Sequence, residues 1–253
     1  MKETRQIMES ASPRSENSRG THGPGQRKIT VVIPIVGVAD HEGLRAMGGL
    51  GTDITIRQLQ SGPTTIESAY DAVLAAPGIV EIAREAQANG ADAVVIDCMD
   101  DPGLAAAREC VKIPILGPAQ TSMHLASMLG HRFSIMTTEE RSVPTVENLA
   151  RLYGLSEMLA SVGWITIPVA DLGDDRNQVA DALIERSVEA VRRDGAHVIV
   201  FGCTLMSGHA GVVIKGLEQA GYYGVPVIDP MPATIRITEA VVDLGLSHSQ
   251  RTY

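Results

Sequence analysis

From Lys28 onward, short apolar runs rich in β-branched residues alternate with longer stretches whose apolar positions recur every three or four residues. The first kind reads as parallel strand buried on both faces, the second as amphipathic helix. In the first half, strands are expected over Lys28–Val36, Ile54–Leu59, Ala91–Cys98 and Lys112–Gly117. Between them lie a glycine-rich loop with a short helix (Gly37–Asp53), a mainly helical stretch broken at Pro77-Gly78 (Ser61–Gly90) and a helix over Gly103–Val111. Asp101-Pro102 supplies an N-cap and a proline at the first helical position for that last helix. A helix over Thr121–Gly130, ended by glycine, closes the half.

The order then recurs. Strands are expected over His131–Thr138, Trp164–Val169, Ala196–Cys203 and Val225–Pro230. Helices are expected over Val143–Gly154, Arg176–Gly195, Gly211–Gly221 and Met231–Gly245. One stretch makes the duplication explicit. Gly90–Cys98 (GADAVVIDC) and Gly195–Cys203 (GAHVIVFGC) both open on Gly-Ala and stop on cysteine, at a constant offset of 105 residues (195 − 90 and 203 − 98). The prolines that follow are offset by 112 (226 − 114 and 230 − 118), so the second copy has the longer linker. The fold class is therefore α/β: two pseudo-symmetric four-stranded parallel-sheet lobes, helices on both faces, facing each other across a cleft. Lobe 1 is expected over 28–130 and lobe 2 over 131–230, with the C-terminal helix of 231–253 packing back on lobe 1.

Residues 1–27 are rich in Ser, Arg, Glu, Gly and Pro without a period. Such a segment cannot bury enough surface to offset its ordering entropy and reads as a disordered tail. Composition narrows the function. A net charge of −9 argues against nucleic acid or an anionic membrane as partner, and 3% aromatic residues do not make a stacking platform for bases. There is no signal peptide and no apolar run of spanning length. Three cysteines in 253 residues do not form a disulfide framework, so a reducing cytoplasm is expected, with thiols free for chemistry.

Cys98 and Cys203 each end a strand, and open parallel sheets bind ligands beyond the carboxyl ends of their strands. About a pseudo-twofold axis, the two thiols approach one cleft from opposite sides. Each lies shortly before a helix N-terminus, whose dipole favours a thiolate. Asp97, Asp100 and Asp101 push Cys98 the other way, whereas Cys203 has neutral sequence neighbours. A base and an acid on opposite faces of one carbon suit racemisation without a cofactor or a metal. Turn N–H groups and the hydroxyls of Thr137, Thr138 and Thr204 suit an oxyanion site.

Plainer readings exist for each feature. A strand-end cysteine is often a small buried hydrophobe, but two at repeat-equivalent positions weigh against that. Cys110 sits in a helix without a twin and reads as structural. His41, His124 and His209 fit no metal-ligand spacing. Asp101 can simply cap a helix. The Gly37–Gly51 loop lacks phosphate-loop spacing and reads as a lid or substrate loop. The charged face of Arg176–Asp194 reads as solvated.

These residues resemble the aspartate/glutamate racemase superfamily, and within it the hydantoin and allantoin racemase branch. The similarity is carried by Ile96–Glu109 (IDCMDDPGLAAARE), Gly117–Ser122 (GPAQTS), Arg132–Thr138 (RFSIMTT), Asp194–Met206 (DGAHVIVFGCTLM) and Gly224–Pro230 (GVPVIDP). The resemblance implies that Cys98 and Cys203 are the acid/base pair and that Thr137, Thr138 and Thr204 contact substrate. It also implies a homo-oligomer, no cofactor and a small-molecule substrate. Pro34, Ile35, Met99 and Leu205 are expected to line the same pocket. One motif departs: where the branch ends its first strand with Asn-Pro-Asn-Thr, this chain has Ile33-Pro34-Ile35-Val36. Apolar groups replace two amides and a hydroxyl, so the pocket should be less polar there. A 5-substituted hydantoin is the first expectation and a thiazoline carboxylate the next. A one-thiol arylmalonate-type decarboxylase, a maleate-type isomerase and a non-catalytic binding module are the alternatives.

Overall fold

The computed structural model describes residues 26–37 and 42–253. The proposed tail therefore lies outside it save for Gln26 and Arg27, as do His41 and the tip of the first loop, which the short helix α1 (Glu42–Arg45) follows. Two four-stranded sheets form, every pairing parallel. The first runs β2 (Thr52–Gln58), β1 (Arg27–Ile33), β3 (Ala93–Ile96), β4 (Ile115–Leu116). The second runs β6 (Leu159–Trp164), β5 (Phe133–Thr137), β7 (Val198–Phe201), β8 (Val227–Ile228). The repeat read from the sequence is thus a repeat of topology, with β3 and β7 at equivalent central places. Among the described residues, no helix is long and apolar enough to cross a membrane.

Alternation inside the apolar runs divides the core. On β1 and β3, Val32, Val94 and Ile96 face Ala75, Ile79 and Ala83 of α2 (Ala69–Ala88) and Leu104 and Ala107 of α3 (Leu104–Cys110). On the other face, Ile29, Val31, Ala93 and Val95 meet Met231 and Ile235 of α8 (Pro230–Asp243). In the second sheet, Ile199 and Phe201 face Val179 and Leu183 of α6 (Arg176–Glu189) and Val213 of α7 (Ala210–Gln219). Its other face covers Met123 of α4 (Pro118–Leu129) and Val146 of α5 (Val143–Leu152). Strands buried on both faces explain why their sequences are almost wholly apolar. The helices α4 and α8 are exchanged: each leaves the last strand of one sheet and packs on the other, and the two pack together. The C-terminal segment then returns to β4, where neutral His248 accepts the Ile115 N–H at 2.7 Å. Burial holds that imidazole down at about 4.

Several expectations need correction. The stretch after β2 is not helical before Ala69. Ser68 caps α2, its hydroxyl accepting from Asp71 N–H at 3.2 Å and donating to the Asp71 carboxylate at 2.7 Å. Nor does α2 break at Pro77-Gly78. The carbonyl deprived of its donor by Pro77 belongs to Val73, which is 69% exposed, so water can replace the lost N–H. Gly78 is there for contact: a Cβ would stand 2.6 Å from the Leu59 side chain. Strand β6 lies earlier than the Trp164–Val169 run. Thr166 takes a positive φ of 59°, and Ile165 and Ile167 instead donate to the Thr137 and Thr138 carbonyls past the end of β5. The long second-half helix changes at Ala190 to a wider π turn that ends on Gly195 in the left-handed conformation. Asp101 does not cap α3, which starts after Gly103. Its carboxylate accepts Ala119 N–H (3.0 Å) and Gln120 N–H (2.8 Å) at the start of α4 instead.

Candidate active site

The carboxyl ends of β1, β3, β5 and β7 converge on one cavity of about 490 Å³. That volume lies within the ordinary range for small-molecule pockets. Its wall holds Cys98 and Cys203, each half-buried, one from each sheet. Every other pocket position expected from the sequence lies in the same wall: Pro34, Ile35, Met99, Thr137, Thr138, Thr204 and Leu205.

The two cysteine turns are built alike. After β3 the chain turns through Asp97-Cys98-Met99-Asp100, and the Asp100 N–H points at the Cys98 sulfur. After β7 it turns through Gly202-Cys203-Thr204-Leu205, and the Leu205 N–H points at the Cys203 sulfur. A donor two residues on from each thiol is the local device that favours a thiolate there. It does not prevail at rest. Burial pushes the Cys203 thiol up to about 12 and Cys98 well above its usual value. The expected helix dipoles are remote: α3 begins at Leu104 and α7 at Ala210. Neither is the surrounding of Cys203 neutral in space, because Asp97, Asp100 and Glu67 all raise it. Both thiols therefore rest protonated, and both lie among carboxyls.

Side chains at repeat-equivalent places differ. Asp97, Met99 and Asp100 have Gly202, Thr204 and Leu205 as twins. Burial pushes the Asp97 and Asp100 carboxyls up to about 6, while the Thr204 hydroxyl bonded to Asp97 pulls the other way. Lobe 1 thus contributes carboxyls and lobe 2 hydroxyls and apolar surface.

Sequence reading missed part of the wall. Thr65, Ile66 and Glu67 enter it because the chain is extended before Ser68; the S-x-x-D pattern at Ser68–Asp71 was the available signal. Glu67 is ion-paired to Arg141, which also holds Glu139 at 2.7 Å. Leu44 and Met47 bring the glycine-rich loop onto the cavity, and its far end is fixed where Glu239 accepts the Gly49 N–H at 2.6 Å and the Thr52 hydroxyl at 2.7 Å. Arg176, assigned above to a solvated face, is the lining cation among the described residues. Its backbone is latched to the Cys203 turn by buried His209, whose ring nitrogens face the Met206 and Arg176 carbonyls at 2.9 and 3.3 Å. Neither His124 nor Cys110 lines the cavity; the Cys110 sulfur accepts from Arg84 at 3.5 Å.

Comparison with known proteins agrees with this fold. The family model described as Asp/Glu/Hydantoin racemase matches residues 41–238. A hydantoin racemase of Pseudomonas sp. (strain NS671) is 35% identical over 231 residues, 89% of this chain and 90% of that one. One from Rhizobium meliloti is 38% identical over 188 residues, 74% of this chain and 76% of that one. Among solved structures, allantoin racemase from Klebsiella pneumoniae superposes with a TM-score of 0.81 at 33% identity, covering 88% of this chain and 91% of its own. The chain therefore belongs to the Asp/Glu/hydantoin racemase family, in its hydantoin racemase branch, and is an isomerase of the racemase class.

Proposed function

We propose that this racemase inverts the α-carbon of a 5-substituted hydantoin, or of a closely related cyclic amino-acid derivative, with Cys98 and Cys203 as its acid/base pair. One observation carries the reading: two thiols at repeat-equivalent positions, one from each lobe, border one cavity. Once one thiol has lost its proton, its thiolate removes the proton from the substrate's ring carbon. The electron pair moves into the adjacent carbonyl, whose oxygen becomes the enolate oxygen. Hydroxyls of Thr137, Thr138 and Thr204 are suited to hold that oxygen. The other thiol then delivers its own proton to the opposite face, leaving the inverted centre and the thiolate on the other side. The reverse reaction exchanges the roles. The ring's apolar substituent would lie against Ile33, Pro34, Ile35, Leu44 and Met47.

The half-buried free thiols fit a reducing cytoplasm. A homo-oligomer is supported by the exposed stripe of Tyr70, Val73 and Leu74 along one face of α2. Light scattering of the purified protein measures that state.

The deciding experiment is polarimetry on a panel of 5-substituted hydantoins with single Cys98→Ser and Cys203→Ser variants. Both should lose racemisation by about a thousandfold or more. Each should keep exchange of the ring proton with solvent deuterium for one enantiomer only. Undiminished racemisation by either variant overturns the pair mechanism.

A further inference from the structure

We propose that Glu239 is a positioning residue for substrate binding: from the exchanged helix α8 it holds the glycine-rich loop that brings Leu44 and Met47 onto the cavity. The loop ends on a tight turn, where the Thr52 N–H donates to the Gly49 carbonyl at 3.0 Å. Glu239, itself buried, accepts with one carboxylate oxygen both the Gly49 N–H at 2.6 Å and the Thr52 hydroxyl at 2.7 Å. Its other oxygen accepts from Arg236 at 3.0 Å. One turn further along α8, Asp243 accepts twice from the Arg27 guanidinium at 2.7 Å, and Arg27 donates to the Leu50 carbonyl at 3.2 Å. The turn of lobe 1 is thus held by a helix that follows the last strand of lobe 2. The approach is close: a Cβ at Gly49 would stand 2.9 Å from the Glu239 carboxylate. Burial alone would push that carboxyl up, but the Thr52 hydroxyl, the Gly49 N–H and Arg236 outweigh it and hold it below its ordinary value. The clamp is therefore charged at neutral pH, and its hydrogen bonds are of the stronger, charge-assisted kind.

What the clamp positions is a wall of the cavity. Met47 stands two residues before Gly49, and its N–H donates to the Leu44 carbonyl at 3.2 Å. Both side chains are half-buried. On one side they pack against the core that contains Ile54, Met231 and Ile235, and on the other they line the cavity. Arg45, Ala46 and Leu50 between and beyond them are exposed. Releasing Gly49 leaves Leu44 and Met47 held by core contact on one side only, so a large apolar group meets a wall that yields. The sulfurs are carried by other turns, after β3 and β7, so the loop bears on binding and not on proton transfer. The link to substrate rests on the reading given above, in which the apolar substituent lies against Leu44 and Met47; the clamp itself does not.

The test pairs limited trypsin digestion, followed peptide by peptide in the mass spectrometer, with steady-state racemisation. It uses the full chain and its Glu239→Ala and Thr52→Val variants. Arg45 is an exposed trypsin site inside the loop, and exposed Arg151 on α5 is the control in the other lobe. Cleavage after Arg45 should be about tenfold faster in Glu239→Ala and about threefold faster in Thr52→Val, with cleavage after Arg151 unchanged. In Glu239→Ala the KM for 5-benzylhydantoin should rise about tenfold while kcat stays within about twofold, and the KM for 5-methylhydantoin should hardly move. Equal acceleration at both arginines in both variants would show a merely destabilised fold and overturns the proposal. Cleavage after Arg45 at the parent rate overturns the clamp, and faster cleavage with an unmoved benzyl KM overturns its bearing on substrate. Should the parent racemise no hydantoin, the substrate reading falls, and the cleavage rates still decide the clamp.

Discussion

Asp101 and Asp229 close the same joint from opposite sides. In lobe 1 the carboxylate belongs to the cysteine turn: Asp101 reaches the start of α4, accepting Ala119 and Gln120 N–H, and takes the Tyr153 hydroxyl at 2.6 Å. In lobe 2 the carboxylate belongs to the strand end: Asp229 reaches back to the cysteine turn, accepting the Ser207 hydroxyl and the Gly208 N–H at 2.7 Å each. The residue at the place of Asp229 in lobe 1 is Gly117 (229 − 117 = 112, the offset of the flanking prolines), and a Cβ there would stand 2.3 Å from the Asp101 carboxylate. The two halves keep the tie and exchange its donor and acceptor. Removing the Asp101 carboxylate strands the buried Ala119 N–H, whereas removing that of Asp229 frees donors that water can reach. Asp101→Ala should cost roughly 1–3 kcal/mol of stability and Asp229→Ala about 0.5–1.5 kcal/mol, read from urea midpoints. An unchanged midpoint for both would show that the joint is held by packing alone.

Two glycines of α7 should respond with opposite signs. At Gly211 an added methyl meets nothing within 4 Å, so Gly211→Ala should stabilise the helix by about 0.5–1 kcal/mol. At Gly216 the methyl would lie 2.6 Å from two carbons of Ile184 on α6. The clash falls on the branch of the Ile184 side chain rather than on a flexible tip, so Gly216→Ala should cost about 1–3 kcal/mol. Thermal unfolding of the two variants should straddle the parent; a Gly216→Ala protein as stable as the parent would refute the close approach of α6 and α7.

What the chain made legible was its repeat and its apolar alternation. Those place β1, β3, β5 and β7, and with them Cys98 and Cys203, because strands buried on both faces leave no choice of pattern. What it hid was set by long-range contacts. Asp101 beside Pro102 has the signature of a local cap, yet its partners are Ala119 and Gln120, and no local rule reports them. The Trp164–Val169 run has strand composition, but the positive φ at Thr166 turns it over the end of β5. Pro77 reads as a break, and only the exposure of the preceding turn makes it tolerable. The raised thiols belong to the same class: neighbours in sequence suggested a neutral setting for Cys203, whereas burial and carboxyls from lobe 1 decide it.

The carboxyls of the site give stability a definite pH signature. Asp97 has a folded value of about 6 against an ordinary 3.8, so the folded chain binds its proton more tightly than the unfolded one. Its favourable contribution is complete below about pH 4 and is lost as the pH rises through 6. Replacing it with asparagine should flatten that part of the profile. Between pH 4.5 and 7.5 the parent should lose about 1–3 kcal/mol relative to Asp97→Asn, read as a widening gap between their urea midpoints. Parallel profiles would mean that the carboxyl is already ionised at the acid end.

The apolar end of β1 should set which substrates are accepted. Ile33 is buried and Ile35 half-buried, and both face the cavity on either side of Pro34. An apolar ring substituent laid on this wall loses water and gives up no hydrogen bond. A ureido or carboxamide substituent there would lose its water and find no donor or acceptor in return. The parent should therefore prefer 5-benzyl- or 5-isopropylhydantoin over allantoin. Ile35→Asn changes the half-buried side chain, leaves the β1 hydrogen bonds alone and restores one amide. It should move the ratio of kcat/KM for the benzyl substrate over allantoin toward allantoin by about 10- to 100-fold, and adding Ile33→Asn should move it further. The change should arise from both terms, because the amide is solvated in the free enzyme and desolvated only by the apolar ligand. A ratio that stays put while Ile35→Asn remains folded and active would show that the substituent lies elsewhere, against the Leu205 and Val169 side of the cavity.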